Sequence, residues 1–224
     1  NSNHRELMGN GYLPSGLGEV KGDIELLSPK SQVQQGPEDF YEITFYGGGG
    51  YGDPLDRSLD LLKKDVENGA VSNEAAKEIY GVVFNEGSGE IDYSATVERK
   101  NDIRQHRLGG VKPLRKFMSP SKAKTIIGKD YVPISEYVHI TNDRMVCSNC
   151  EYDFCSASEN YKQCLVIEEY PITRLTHINR EPINYVDDDI VCRAFYCPGC
   201  ATQNEFEITD TNLPPIWDCQ LKFN

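Results

Sequence analysis

The first half of the chain alternates between irregular polar segments and short stretches with helical periodicity. In "DPLDRSLDLLKKDVENG", residues 53–69, apolar side chains recur every three or four positions, which predicts a helix with one apolar face. These positions are Leu55, Leu59, Leu62 and Val66. Asp53 is a favourable N-cap, Pro54 suits the first helical position, and Gly69 ends the pattern. The segment therefore predicts one amphipathic helix.

Two further helices and an earlier region of strands follow from the same kind of pattern. "VSNEAAKEIYG" begins with Ser72 as an N-cap and ends at Gly81, and another helix is predicted between Tyr93 and His106. Before residue 50, the stretches "DIELL" and "YEITFY" favour strands. The predicted fold class is α+β, with a β-rich start, three helices and a β domain at the carboxyl end.

A glycine run separates the last of these strands from the first helix. Gly47, Gly49 and Gly52 satisfy G-x-G-x-x-G, the pattern of dinucleotide-binding turns. A Rossmann unit also needs a second parallel strand with an acidic residue about 20 residues after the glycines. The sequence predicts helices there, and no Lys-Ser/Thr pair follows the glycines as in a P-loop. We therefore interpret the run as a flexible or closely packed turn and predict no cofactor-binding residues.

Charge and hydropathy exclude several classes of partner. The formal net charge of −12 repels nucleic acids and anionic membranes. No run approaches the roughly 18 apolar residues of a membrane span, and the first ten residues lack the apolar core of a signal peptide. These features predict a cytoplasmic protein without nucleic-acid or membrane partners. The first residue is Asn rather than Met, which is consistent with a segment of a longer protein.

Cysteine content divides the chain. All eight cysteines lie after residue 146. Before them, residues 109–129 hold six Lys or Arg, no acidic residue, two prolines and three glycines, which is typical of a linker. From 131 to 224, 15 acidic residues against six Lys or Arg give a charge of −9. We predict a domain at residues 1–108, a basic linker at 109–130 and a second domain at 131–224.

Two C-x2-C pairs carry the strongest chemical signal: Cys147 with Cys150, and Cys197 with Cys200. Each pair can turn two thiolates toward one ion, and tetrahedral Zn²⁺ takes four such ligands. Four thiolates leave no coordination position for water, so the predicted zinc is structural and residues 131–224 are predicted to form a zinc-ribbon β domain. Disulfides and a redox C-x-x-C are the alternatives. The lack of a signal peptide and of a thioredoxin-like strand–helix setting argues against them.

The residues around these pairs receive smaller roles. Pro198 and Gly199 favour a tight turn that lets backbone amides approach the thiolate sulfurs. His139 and His177 lack ligand spacing and are assigned no role. The cysteines without a C-x2-C partner are expected to be small buried hydrophobes, with a second metal site as a minor alternative. They are Cys155, Cys164, Cys192 and Cys219.

Four blocks of the first half occur in a characteristic order and spacing: residues 47–54, 65–72, 74–76 and 80–83. They resemble the carboxy-terminal end of the hydantoinase B/oxoprolinase family, over roughly residues 10–108. That family includes a large subunit of ATP-dependent ketone carboxylases and subunits that open hydantoins and oxoproline. The resemblance implies a piece of a large hetero-oligomer whose main catalytic body lies upstream of Asn1.

The second half contains the block "ENYK" at residues 159–162, and "RAFYCPGCATQ" followed by "EFE" at residues 193–207. Over roughly residues 131–224 it resembles the gamma subunit of acetone carboxylase and the related small subunit of acetophenone carboxylase. In that family the first cysteine pair usually reads C-x-C-G, whereas this chain has C-x-x-C. The resemblance implies the zinc-containing subunit of a carboxylase.

Together the two resemblances imply an accessory zinc-containing part of an ATP-dependent, biotin-independent ketone carboxylase of the acetone/acetophenone carboxylase type. They imply larger hydantoinase A/B-like subunits as partners, which would bind ATP and a divalent metal, with ketone and bicarbonate as substrates. No nucleophile–base pair or phosphate clamp is evident, so no catalytic residue is predicted in this chain. The alternatives are a part of an ATP-dependent hydantoinase/oxoprolinase-type cyclic amide hydrolase, or a non-catalytic docking module.

Overall fold

The computed structural model describes residues 2–25, 27, 32–43, 50–110, 131–174, 182–184 and 186–220. Its contacts group the chain into two compact units, residues 1–50 and 51–224, which are described separately. Residues 51–108 therefore share a unit with the Cys-rich part, whereas the sequence groups them with residues 1–50. Most of the predicted linker, residues 111–130, lies outside the described residues. The division into a domain, a linker and a second domain stays a prediction.

The amino-terminal unit is made of short local structure. Helix α1 spans His4–Gly9, and a 3₁₀ turn spans Leu17–Glu19. An isolated bridge pairs Ser2 with Gly22. Among the described residues of this unit only Pro14 is buried. The described residues of this unit are therefore connected by hydrogen bonds and by an ion pair between Arg5 and Glu38 rather than by a packed apolar core.

The structure does not bear out the predicted β-rich start where it describes these residues. Residues 23–25 of "DIELL" and 41–43 of "YEITFY" lie in no strand. Ile24 and Ile43 are exposed by 66% and 56%. A strand is stabilised by a paired neighbour and a buried face, and neither side chain is buried here. The rest of "YEITFY" and Gly47 to Gly49 lie outside the described residues.

Three helices open the second unit, as predicted: α2 at Leu59–Glu67, α3 at Asn73–Glu78 and α4 at Tyr93–Arg107. The first begins later than predicted. Asp53 caps only a 3₁₀ turn, Pro54–Asp56, and Arg57 leaves helical geometry with a ψ of 136° before α2 begins. This break lets the Asp53 carboxylate reach the Cys-rich part, a long-range contact that the local pattern does not encode. No helix of the described chain is long and apolar enough to cross a bilayer.

The helices surround a small apolar core formed by Leu62, Ala76, Val82 and Ile91. Their ends follow the sequence signals. Ser72 Oγ accepts from the Ala75 N–H at 3.0 Å, and Asp92 Oδ1 accepts from the Ala95 N–H at 2.9 Å. Gly81 has a φ of 65°, which glycine adopts without strain, and it turns the chain away from α3.

The Cys-rich part contains two antiparallel sheets. The first has the order β1-β2-β3-β4, with strands at Val132–Pro133, Val138–Thr141, Arg144–Cys147 and Asp153–Ser156. The second has the order β5-β6-β7, with strands at Val166–Pro171, Ile190–Tyr196 and Gln203–Asp210. Asn142 and Asp143 both have positive φ between β2 and β3, as a tight hairpin turn of this kind requires.

One apolar core joins the two sheets, and it contains the four cysteines of the C-x2-C pairs together with Val138, Met145 and Phe195. Each of these three apolar side chains is fully buried. The mixed helix and sheet composition and the antiparallel β part are confirmed, whereas the hydantoinase B-like character of the first segment stays a prediction. The core places both cysteine pairs between the sheets.

Candidate metal centre

Two hairpin turns, residues 147–151 and 197–201, carry the predicted metal ligands, and we call them the first and second knuckle. In each knuckle the N–H of the fifth residue donates to the carbonyl of the first residue at 2.8 Å. The fifth residue has a left-handed φ in both, 57° at Glu151 and 61° at Ala201. The two knuckles therefore share one backbone geometry.

The structure brings together the four predicted ligand sulfurs, those of Cys147, Cys150, Cys197 and Cys200, within 4.8 Å of one another. The Sγ atoms of Cys147 and Cys200 are 3.8 Å apart, and those of Cys150 and Cys197 are 3.7 Å apart. These separations exceed the roughly 2 Å of a disulfide bond. They match the edge of about 3.8 Å in a tetrahedron whose metal–sulfur bonds are about 2.3 Å long. The donor set therefore fits one tetrahedral ion.

Polar groups support the sulfurs. The Gly199 N–H donates to Cys197 Sγ at 3.3 Å, so a backbone amide reaches the sulfur as the tight turn predicted. Thr202 Oγ1 lies 3.1 Å from Cys200 Sγ and accepts from the Asn149 amide at 3.1 Å. Because Asn149 supplies one hydrogen to this hydroxyl, the hydroxyl proton is available to the sulfur. The Gly199 amide of the second knuckle and the neighbouring Thr202 hydroxyl thus offer hydrogen bonds to two of the sulfurs, which stabilises thiolates.

The close packing of the sulfurs also separates their proton affinities. Hydrogen bonding from the neighbouring thiols, first that of Cys150, raises the pKa of Cys147. Hydrogen bonding from Cys147 and the other two thiols lowers the pKa of Cys200. Four thiols in one buried cluster share protons in this way, because they cannot all ionise together. A divalent cation would replace these protons and hold all four groups as thiolates.

The other cysteines and histidines that the structure describes lie outside this cluster. Cys155 and Cys192 are buried, as expected for small hydrophobes, while Cys164 and Cys219 are only partly buried. His139 Nδ1 lies 3.0 Å from a serine hydroxyl, and burial lowers the pKa of this imidazole, which favours its neutral form. His177 lies outside the described residues. The part of the chain that the structure describes gives none of these side chains a ligand position.

The sequence did not predict the most extensive polar contact near the centre, a buried ion pair between Asp53 and Arg107. The guanidinium donates to Asp53 Oδ2 at 2.6 Å and to Oδ1 at 2.9 Å. The Arg107 and Asp53 side chains are only 7% and 1% exposed. Arg107 also donates to the Ala201 carbonyl at 3.0 Å, and Asp53 Oδ2 accepts from the Gln203 N–H at 2.9 Å. Both partners of the pair therefore hold the backbone that leaves the second knuckle.

Tyr137 completes this polar layer. Its hydroxyl accepts from the Asp53 N–H at 2.7 Å and donates to Asp56 Oδ2 at 3.0 Å. Gly52 has a φ of 75°, and a Cβ there would lie 2.8 Å from the same hydroxyl, so the last glycine of the run must be a glycine for this contact. Burial, followed by the charge of Asp53, raises the pKa of Asp56 to about 6.

The raised pKa of Asp56 predicts a pH-dependent stability. Its folded pKa of about 6 exceeds the unfolded value. The contribution of this carboxyl to the free energy of unfolding is therefore fully present below about pH 4 and is lost as pH rises through about 6. Asp56→Asn stays neutral and keeps an oxygen that can accept from Tyr137. We expect the variant to gain about 1 kcal/mol relative to the parent chain between about pH 5 and about pH 7, a small value because the carboxyl is partly exposed.

Denaturant unfolding at both pH values measures this difference. Asp60→Asn is the matched control, because Asp60 is an exposed carboxylate on the next helix. A stability difference between the Asp56 variant and the parent chain that does not change with pH would contradict the assignment.

A comparison with protein families identifies the Cys-rich part. Residues 127–224 match the family model of the acetone carboxylase gamma subunit. The match includes all four cysteines of the centre and confirms the resemblance to the acetone carboxylase gamma subunit, whereas the resemblance to the acetophenone carboxylase subunit stays a prediction. Asp53 and Arg107 lie outside the matched range. The Cys-rich part is therefore similar to the acetone carboxylase gamma subunit.

Two curated proteins are also similar to this chain. The acetone carboxylase alpha subunit of Xanthobacter autotrophicus is 36% identical over 115 residues, which is 50% of this chain and 14% of that subunit. Caprolactamase subunit beta of Pseudomonas jessenii is 54% identical over 50 residues, 22% of this chain and 8% of that subunit. The chain thus spans a small fraction of the curated relatives it matches, and it is homologous to subunits of two named enzymes.

Proposed function

We propose that the four cysteines bind one zinc ion in a structural role. The sulfur separations of 3.7 and 3.8 Å and the thiolate-only donor set support this choice, because zinc accepts tetrahedral thiolate ligands without a preference for other geometries. Four protein ligands fill the coordination shell, so substrate has no position on the ion. The ion would hold the two sheets together through their knuckles.

We propose further that the chain is an accessory part of an ATP-dependent, biotin-independent ketone carboxylase of the acetone/acetophenone carboxylase type. One observation carries this proposal: a single chain is similar both to the gamma subunit family and to an alpha subunit of acetone carboxylase. Its partners would be larger carboxylase subunits in the cytoplasm, which would bind ATP, a divalent metal, the ketone and bicarbonate. The zinc domain would stabilise or position these subunits.

A second candidate is a part of an ATP-dependent cyclic amide hydrolase. The 54% identity to caprolactamase subunit beta favours it, because this identity is higher than that to the acetone carboxylase subunit, although over a shorter segment. Both candidates assign the chain to a multisubunit enzyme. They differ in the bond that the complex makes or breaks.

The two candidates are separated by the substrate that stimulates ATP hydrolysis. We expect the complex purified through a tag on this chain to hydrolyse ATP when ketone and bicarbonate are both present, with incorporation of labelled bicarbonate into a ketoacid. Lactam or hydantoin substrates should have little effect. ATP hydrolysis that depends on lactam and not on bicarbonate would replace the first candidate by the second.

The chain alone is the control in this assay. We expect it to show no turnover, because its candidate metal centre is saturated by protein ligands. Ketone carboxylation or ATP hydrolysis by the isolated chain at the rate of the complex would mean that it contains a catalytic site, and would overturn the accessory role.

A further inference from the structure

The second knuckle is held by residues that lie outside the matched range 127–224. Ala201, the residue that follows Cys200, is completely buried, whereas its counterpart Glu151 is exposed. The Ala201 carbonyl accepts from Arg107, the last residue of α4. Two residues later, the Gln203 N–H donates to Asp53. The backbone on both sides of Thr202 is therefore bound by one buried ion pair.

The hydrogen bond from Arg107 is made to a residue whose backbone conformation is strained. Ala201 has a φ of 61°, a left-handed conformation that is unfavourable for a residue with a Cβ. Such a conformation persists only when surrounding contacts maintain it. One of these contacts is the hydrogen bond from Ala201 N–H to the Cys197 carbonyl, and another is the bond from Arg107 to the Ala201 carbonyl. The ion pair thus helps to maintain the geometry that directs Cys200 at the other sulfurs.

Charge favours the same arrangement. Zinc with four thiolates carries two net negative charges, and burial of such a centre is costly without nearby cations or hydrogen-bond donors. Arg104 and Arg107 of α4 are both 8% exposed. Burial lowers the pKa of Arg104, while the charges of Asp53, Asp56 and Cys200 oppose this change. The Arg107 cation is buried against the second knuckle, where it donates to the Ala201 carbonyl at 3.0 Å.

We infer that Asp53 and Arg107 are positioning residues for the metal centre, so that docking of α4 on the second knuckle and retention of the metal stabilise each other. The inference rests on the proposed metal binding and goes beyond it, because it assigns part of the metal affinity to residues outside the matched range 127–224. Outer contacts of this kind change metal affinity by about 10- to 100-fold in other sites. Coupling is reciprocal, so loss of metal must also loosen α4.

The variant Asp53→Asn tests the first half of the coupling. It keeps the side-chain shape but removes the charge that pairs with Arg107. We expect zinc affinity, measured by competition with a chromogenic chelator, to fall about 10- to 100-fold. The absorption bands of the Co²⁺-loaded chain should shift, because the geometry at Cys200 changes. The milder Arg107→Lys, which loses the bidentate contact, gives the same direction if Asp53→Asn folds poorly.

Glu207→Gln is the matched control. Lys162 and Glu207 form another buried ion pair in this unit, with Nζ and Oε1 2.8 Å apart and side chains 3% and 5% exposed. The hydrogen bonds of the Glu207 carboxylate are to Lys162 and to the Ile216 N–H, and not to a knuckle. This variant should lose stability without a change in zinc affinity or in the Co²⁺ spectrum. Equal zinc affinity in Asp53→Asn, Glu207→Gln and the parent chain would overturn the inference.

Hydrogen exchange on the parent chain tests whether loss of the metal also loosens α4. Removal of zinc by chelator should increase exchange in residues 93–107 as well as in the two knuckles. Protection of α4 that does not change when the metal is removed would contradict the coupling. A chain that neither contains nor takes up zinc would instead refute the proposed metal centre, so the two failures can be told apart.

Discussion

Replacing Cys197 by Ser is expected to unfold the Cys-rich domain and abolish its metal content. The substitution removes one of four thiolates, whose sulfur lies 3.7 Å from that of Cys150. In small zinc-binding peptides, structural zinc contributes about 10–16 kcal/mol to the apparent free energy of folding. A typical domain has a total stability of only about 5–15 kcal/mol. Loss of the ion therefore removes an amount comparable to the whole stability of a domain of this size.

Circular dichroism, elemental analysis and hydrogen exchange measure this outcome. The parent chain should contain one zinc, and the variant should contain none and exchange rapidly across residues 131–174 and 186–220. Cys192→Ser is the matched control, because Cys192 is also fully buried on β6 but lies outside the sulfur cluster. It should keep its zinc and lose only about 1–3 kcal/mol. Equal zinc content and stability in the two variants would refute the predicted ligand role of Cys197.

Replacing Gly199 by Ala is expected to have the second-largest effect on stability and metal affinity, because the added Cβ has no room. A Cβ at this position would lie 2.8 Å from Cys150 Sγ and 2.8 Å from Tyr152 Cβ. Contacts this short force the two knuckles apart, and overpacking of a core typically costs about 1–3 kcal/mol. Because one of the displaced atoms is a ligand sulfur, the metal affinity should fall together with the stability.

Zinc competition and thermal unfolding test this expectation. Gly9→Ala is the control, because a Cβ at Gly9 has no atom within 4 Å and the residue has no left-handed φ. The control should match the parent chain in both measurements. A zinc affinity of Gly199→Ala equal to that of the parent chain would contradict the expected clash between the added Cβ and Cys150 Sγ.

The centre joins a stretch of the chain that the family match covers to a stretch that it does not cover. The matched range 127–224 contains the four clustered cysteines, and the segment before it contains Asp53 and Arg107. In the proposed assembly, the zinc domain would therefore be fixed to the segment that precedes it by a buried ion pair as well as by the intervening chain. Such a contact would transmit changes in the metal centre to α4, and from α4 to any subunit that packs on it.

Local signals predicted the elements whose stability is local. The N-cap role of Ser72 and the end of α4 within one residue of His106 follow from side-chain hydrogen bonding and periodicity over a few residues. The predicted strands near residues 24 and 43 were wrong in their described parts, because strand formation depends on a partner strand elsewhere in the chain. The resemblance of the Cys-rich half was recognisable because its motif blocks surround the ligands in sequence.

The sequence by itself singled out the four cysteines that the structure brings together and a mixed helix and sheet composition, because the C-x2-C spacing places two thiols on one turn and periodicity indicates helices. Only the tertiary structure decided what surrounds the ligands. Asp53 and Gln203 are 150 positions apart, and Arg107 and Ala201 are 94 apart, yet both pairs are hydrogen-bonded. No local pattern marks such contacts, since an aspartate that caps a turn and an arginine that ends a helix are common surface residues. Folding buries both charges at once, and a buried charge is stable only beside its partner.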